Sequence, residues 1–164
     1  MNSMRQHTYA VGPGRRTINR VYTALTRLGL GASYRRLLTV TGRRTGLPRT
    51  TPVDVMTLDG TPYLVAPYGE VSWVHNVRAA GAIRLSRRGH TRRYRATEVN
   101  LHDAVPVIRS YIARVPVTRA WWSVRPDGSE AELRIEATTH PVFRLDPELD
   151  DGLEEVGRRR EGRT

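Results

Sequence analysis

Two short apolar, β-branched runs, Leu38 to Thr41 and Thr50 to Leu58, are joined by Gly42-Arg43-Arg44-Thr45-Gly46-Leu47-Pro48-Arg49. Two glycines and a proline so close together break any helix, so one strand must turn here into a second. The glycines let the backbone approach a ligand closely or take positive φ, leaving N–H groups directed inward. Arg43, Arg44 and Thr45 add side-chain donors. The segment reads either as an anion cradle for a phosphate or carboxylate, or as a hairpin tip with solvated arginines.

A second segment has the same double reading. Tyr63 to Ala66 forms a strand that breaks at Pro67 and Gly69, and a short helix begins near Ser72, a suitable N-cap. Trp73 and Asn76, three residues apart, share a helix face. They either present an aromatic plate and an amide at the strand end, or Trp73 packs inward with Val77 while Asn76 bonds backbone.

In this order and spacing, with the terminal His140-Pro141-Val142-Phe143-Arg144-Leu145, the chain resembles the deazaflavin-dependent nitroreductase family of actinobacteria. The pattern is a strand, Gly-Arg-(Lys/Arg)-(Thr/Ser)-Gly-x-Pro-Arg, a second strand, Val-Ala, a Gly-containing loop, and Trp-x-x-Asn. Here it falls on Gly42 to Arg49, Val65, Ala66, Gly69, Trp73 and Asn76. The resemblance covers about Tyr34 to Leu145. It implies a split β-barrel, mainly β with flanking helices and like FMN-binding proteins, that binds coenzyme F-420, an 8-hydroxy-5-deazaflavin with a phosphodiester and an oligoglutamate tail.

The chain has 164 residues and no cysteine, which removes thiol nucleophiles, disulfides and Cys-ligated metals. Its five histidines show no metal-ligand spacing, so no metal is expected. The first sixteen residues lack a signal-peptide pattern, no apolar run reaches membrane-spanning length, and a cytoplasmic protein is expected. All 27 basic residues are arginine, against 16 acids, for a net charge of +11. Residues 146–164 carry seven acids and four arginines, leaving +14 on residues 1–145. Such a body attracts polyanions, but no zinc-finger, helix-turn-helix or ribonucleoprotein signature points to specific nucleic-acid binding.

Three regions follow. Residues 1–33 form a tail and an amphipathic helix, with Ile18, Val21, Tyr22, Leu25 and Leu28 on one side, that packs on the barrel or offers a basic face for peripheral membrane contact. Residues 34–145 form the deazaflavin-binding barrel, and 146–164 a charged, disordered tail. Within the barrel, strands are expected at Arg36 to Thr41, Thr50 to Leu58, Thr61 to Ala66, Ala82 to Arg87, His90 to Val99 and His140 to Leu145. Turns fall at Asp59-Gly60 and Arg88-Gly89. Pro52 marks an edge or a bulge. A helix runs from Leu101 to Arg114 with Pro106 in its first turn, and a second, capped by Ser129 with Glu132, reaches Ala137.

Deazaflavin chemistry asks the protein chiefly to hold donor and acceptor together and exclude water, which accounts for the missing catalytic triad. From the resemblance, Arg43, Arg44, Thr45, Gly46 and Arg49 meet the phosphate and lactyl-glutamate end. Ala66, Pro67, Tyr68 and Gly69 line the ring, and Trp73 and Asn76 complete the wall. The hydride goes to a small unsaturated, quinone-like or nitro acceptor. Its proton comes from Tyr111 first, then Tyr68, then His75, although Tyr111 also suits an anchor of its helix. The arginines of Arg87 to Arg95 meet the oligoglutamate tail or form a solvated ribbon. FMN binding and cofactor binding without catalysis are the alternatives. Split barrels often pair through their sheets, so a homodimer is a further expectation.

Overall fold

The computed structural model describes residues 33–148, and in it six antiparallel strands close into a barrel. They are β1 (Arg35–Thr41), β2 (Pro48–Leu58), β3 (Thr61–Val65), β4 (Ala82–Arg87), β5 (His90–Glu98) and β6 (Val142–Pro147), in the circular order β1-β2-β3-β6-β5-β4. Between them lie helices α1 (Ser72–Ala80), α2 (Leu101–Arg114) and α3 (Glu130–Ala137), and a 3-10 turn over Pro116–Trp121. This is the expected barrel with flanking helices. The expected amphipathic helix over Ile18 to Leu28, and the tail beyond Glu148, lie outside the described residues.

The alternation of strand side chains builds two apolar layers. Leu38, Val40, Val53, Leu64, Ile83, Leu85, Phe143 and Leu145 fill the barrel, and Val74 and Val77 of α1 join them. Met56, Val65 and Val142 form an outer layer beneath Val105, Ile108 and Ile112 of α2 and Leu133 of α3. Leu64 and Val65, adjacent in β3, are therefore buried on opposite faces.

Both two-residue turns take the mirror-image form that suits strand twist. Asp59 and Gly60 have φ of 49° and 78°, and Arg88 and Gly89 have 50° and 79°. Pro52 lies where β2 pairs with β1 but not with β3, which meets only Val55 to Leu58. Hydrogen-bonded pairs alternate along β1–β2 from Tyr34/Val55 to Gly42/Leu47, so Leu37/Pro52 is a non-bonded pair. Pro52 thus costs the ladder no donor, and β2 is locally an edge there, as expected.

Four local expectations need correction. Val71, not Ser72, is the N-cap of α1, with no side-chain cap bond; Val74 N–H reaches Val71 O at 3.0 Å, so the helix closes one residue earlier. Pro106 is the sixth residue of α2, in its second turn; the missing N–H strands the carbonyl of His102, and both residues are exposed to water. The strand expected to include Ala66 ends at Val65. The last strand begins at Val142 and runs on to Pro147, because pairing with β5 continues to Tyr94 opposite Pro147. The capping box of α3 forms as expected, Ser129 and Glu132 bonding reciprocally.

Candidate functional site

The loop between β1 and β2 is tied off by its own backbone. Gly42 N–H donates to Leu47 O at 2.9 Å, Thr45 and Gly46 N–H both reach Gly42 O, and Leu47 N–H reaches Thr45 Oγ1. Arg43 N–H donates to Asn76 Oδ1 at 3.2 Å. The N–H groups of Gly42, Arg43, Thr45, Gly46 and Leu47 are thus engaged within the turn or by Asn76. Gly42 is needed for close approach: a Cβ there would stand 2.9 Å from Thr45 Oγ1 and 3.3 Å from Arg49 Cγ. Gly46 takes φ of 65°, where an L side chain is strained.

Between this loop and the end of α1 lies an open groove of about 430 Å³, lined by Thr41, Gly42, Arg43, Arg44, Gly46, Ala79 and Ala80. Arg43, Arg44 and Arg49 are exposed, and no acid lines the groove. The C-terminal end of α1 contributes a partial negative charge of about half a unit, smaller than either lining guanidinium. The arrangement can hold a phosphate or a carboxylate. Arg43 is oriented for it, since its Nη1 donates to Asn76 Oδ1 at 3.1 Å and to Ser72 O.

The other expected residues divide between two environments. Ala66 and Pro67 are buried, and Ala66 N–H donates to Pro141 O at 3.0 Å. Gly69, at φ of 72°, lies where a Cβ would come within 3.2 Å of Thr139 O, so the loop rests on the turn entering β6. Tyr68 is 38% exposed and meets Trp121 edge-on, with centroids 5.1 Å apart. Trp73 is half-buried and tilts toward Phe143 at the margin of the barrel interior, while the Asn76 oxygen is occupied by Arg43. Trp73 and Asn76 thus do not stand together as one open wall. His75 lies 3.8 Å from Glu70. Thr45 directs its hydroxyl into the turn.

Tyr111, the first choice for proton donor, is an anchor. It is fully buried, and its hydroxyl donates to Asp54 Oδ2 at 3.1 Å. Burial, and then the neighbouring Asp54 charge, raise its pKa well above that of a free phenol. The hydroxyl so placed is enclosed and already engaged with Asp54.

Two buried polar groups escaped the sequence reading. Asp54 also pairs with Arg35 Nε at 3.0 Å, tying β1, β2 and α2 together. His140 stacks on Trp122 at 4.2 Å and sets Nδ1 3.2 Å from Glu136 Oε2, which lies one helical turn earlier. Burial opposes charge on Glu136, but bonds from His140 and from Ser123 N–H (2.8 Å) outweigh it and hold the pKa below the usual carboxylate range. The four-residue spacing of Glu136 and His140 was the available signal; nothing in the sequence marks Arg35 and Asp54 as opposite one another.

With this geometry in hand, the sequence profile described as F420H2-dependent quinone reductase matches residues 14–135. No curated protein matches the chain. Among solved structures it is similar to a protein of unknown function from Agrobacterium tumefaciens, with 22% identity and a TM-score of 0.54, covering 85% of this chain but only 57% of that one. It is also similar to an F420-H2 dependent reductase (FDR-A), with 18% identity and a TM-score of 0.52 over 70% of this chain and 95% of that one. A third structure, described as a domain-swapped dimer, gives 16% identity and 0.53 over 82% and 100%. At these identities the structural likeness bears on the fold alone. Among the described residues, no helix is long and apolar enough to cross a membrane.

Proposed function

The chain belongs to the F420H2-dependent quinone reductase family, and from that premise we propose that it binds reduced coenzyme F-420 and passes a hydride to a small unsaturated, quinone-like or nitro acceptor. The observation that carries the reading is the groove in which Arg43 and Arg44 face the small residues Ala79 and Ala80 with no acid among its lining. Those residues fit an anionic cofactor tail: guanidinium groups supply charge, and a low alanine floor leaves room for a chain. When bound, the deazaflavin supplies a hydride from its ring carbon.

The protein's part is to hold and shield. Arg43, braced by Asn76, and Arg44 anchor the phosphate, with Arg49 at the base of the loop. Each charge-assisted bond adds about 1.5–3 kcal/mol, so two of them separate millimolar from micromolar binding. Ala66 to Gly69, resting on Pro141 and Thr139, present backbone and the Tyr68 ring beside Trp121 as a surface for a flat heterocycle. With Tyr111 enclosed, Tyr68, 38% exposed, is the phenol that gives a proton to an acceptor after hydride arrival in this reading.

A fluorescence titration with coenzyme F-420 beside FMN at moderate salt tests the binding half. Saturable micromolar binding of the deazaflavin with weak FMN binding is expected; tight FMN binding or neither would overturn it. Oxidation of the reduced cofactor by a quinone, read as the return of the oxidised deazaflavin's visible absorbance, tests the chemistry, and binding without oxidation by any enone, quinone or nitro compound would mark a cofactor carrier.

A further inference from the structure

Glu136 and His140 form a buried pair that the proposed reaction leaves unused. The Glu136 carboxylate accepts the Ser123 N–H through Oε1 at 2.8 Å and faces His140 Nδ1 through Oε2 at 3.2 Å. His140 Nδ1 also lies 3.0 Å from Glu136 O and 3.0 Å from Thr139 Oγ1. The Thr139 hydroxyl gives its own hydrogen to Glu136 O at 3.1 Å. With oxygen acceptors around it, Nδ1 carries a proton and donates it, which fixes the plane of the ring. That ring stacks on Trp122, with centroids 4.2 Å apart and planes 27° apart. Residues 122–124 and 138–141 belong to no strand or helix. Side chains rather than a backbone ladder therefore set the distance between Trp122 and Ser123 on one side and the turn entering β6 on the other.

Both of these segments support the Ala66–Gly69 loop. From the turn, Pro141 O accepts the Ala66 N–H at 3.0 Å, and Thr139 O stands where a Cβ on Gly69 would come within 3.2 Å. From the other side, Trp121, the neighbour of Trp122 in the chain, meets the Tyr68 ring edge-on at 5.1 Å. Neither Glu136 nor His140 lines the arginine-loop groove.

We infer that Glu136 and His140 are positioning residues for the proposed reaction. As a latch they hold Trp121 and the turn at the spacing that aims Tyr68 and the Ala66–Gly69 backbone at a bound heterocycle. The inference rests on the proposed cofactor reading for what that surface holds, whereas the latch can be tested by itself.

The test begins without the cofactor, on isotope-labelled protein. Glu136→Gln removes the charge with little change of shape, and His140→Phe keeps a ring on Trp122 but removes the Nδ1 donor. Each should shift the amide signals of Ala66 and Gly69 and the indole signal of Trp121, while the amides of Gly42 to Gly46 stay in place. Shifts confined to residues that touch the pair, or spread evenly over the barrel, would overturn the inference. Turnover of reduced coenzyme F-420 with a quinone is then measured. Both variants should lower kcat about tenfold through misplacement of the reacting partners, with the cofactor Kd within about twofold of wild type because the phosphate anchor is untouched. His140→Asn, whose side-chain amide returns a donor near the place of Nδ1, should recover most of the lost rate. Kd and kcat worsening together, with Asn no better than Phe, would mark a merely structural pair and overturn the inference. If wild type does not bind the cofactor, the functional reading fails and the amide shifts still decide the latch.

Discussion

Tyr111 on α2 donates its hydroxyl to Asp54 on β2 at 3.1 Å, across 57 residues of sequence, and Asp54 takes its other bond from Arg35. This is a buried polar tie between the outer helical layer and the barrel wall. Tyr111→Phe should cost about 1.5–3 kcal/mol in urea unfolding, since a buried carboxylate loses one of its two partners. Cofactor affinity and turnover should stay within twofold of wild type. Wild-type stability with turnover lowered more than tenfold would return Tyr111 to a chemical role.

The two shifted buried groups bound stability from opposite sides of pH. The folded pKa of Tyr111 is raised, so its contribution is complete below the unfolded phenol value of about 10 and is lost as pH rises beyond it. The folded pKa of Glu136 is lowered, so its contribution is present above the unfolded carboxylate value of about 4.3 and is lost as pH falls through the folded one. Thermal unfolding across pH should therefore lose its acid-side slope selectively in Glu136→Gln and its alkaline-side slope selectively in Tyr111→Phe. Identical profiles for wild type and both variants would contradict the assignment.

Asn76 is the brace of the arginine loop. Asn76→Ala removes the acceptor shared by Arg43 N–H and Arg43 Nη1, and should cost about 1–3 kcal/mol of stability. It should also weaken binding of the anionic cofactor, because Arg43 then has to be ordered at the moment of association. Unaltered affinity in a correctly folded Asn76→Ala protein would show that Arg43 needs no brace.

Arg44→Ala combined with Arg49→Ala should weaken coenzyme F-420 at least tenfold under the proposed function. The salt dependence of binding should flatten at the same time, since exposed charges act through a screened field. Fluorescence titration at two ionic strengths reads both effects, and unchanged affinity would remove these arginines from the site.

The two loop glycines should fail differently. Gly46→Ala places an L side chain at φ of 65° with nothing within 4 Å, a backbone cost of about 1–2 kcal/mol that Gly46→Asn should partly avoid. Gly42→Ala meets Thr45 Oγ1, Leu47 O and Arg49 Cγ, and should spread the loop and lower anion affinity as well as stability. Equal effects of Asn and Ala at position 46 would argue against strain as the cause.

Local physics accounts for what was legible in the chain. Period-two apolar patterning placed the strands, Asp59-Gly60 and Arg88-Gly89 placed two tight turns, and Ser129 with Glu132 placed a capping box, because each is settled within a few residues of itself. The exposed arginine loop was legible for the same reason: glycine and proline punctuate a strand pair whatever lies nearby. Ser72 and Pro106 were misjudged by a residue or a turn, since a helix start depends on bonds such as that between Val74 and Val71 that composition does not reveal.

Tertiary structure decided which polar groups remain available. The Thr45 and Gly46 N–H groups, the Asn76 amide oxygen and the Tyr111 hydroxyl all suit a ligand when read as residue types, yet the folded chain gives each an internal partner: Gly42 O, Arg43 and Asp54. A buried polar group must be satisfied wherever the fold places it, and its partner is set by strand register and helix docking over tens of residues. The sequence by itself determined the strands, the turns and a surplus of arginine around one loop. Only the packed barrel determined that guanidinium groups line the groove, that the phenol of Tyr111 is enclosed, and that Glu148 stands beside Arg93 and Arg95.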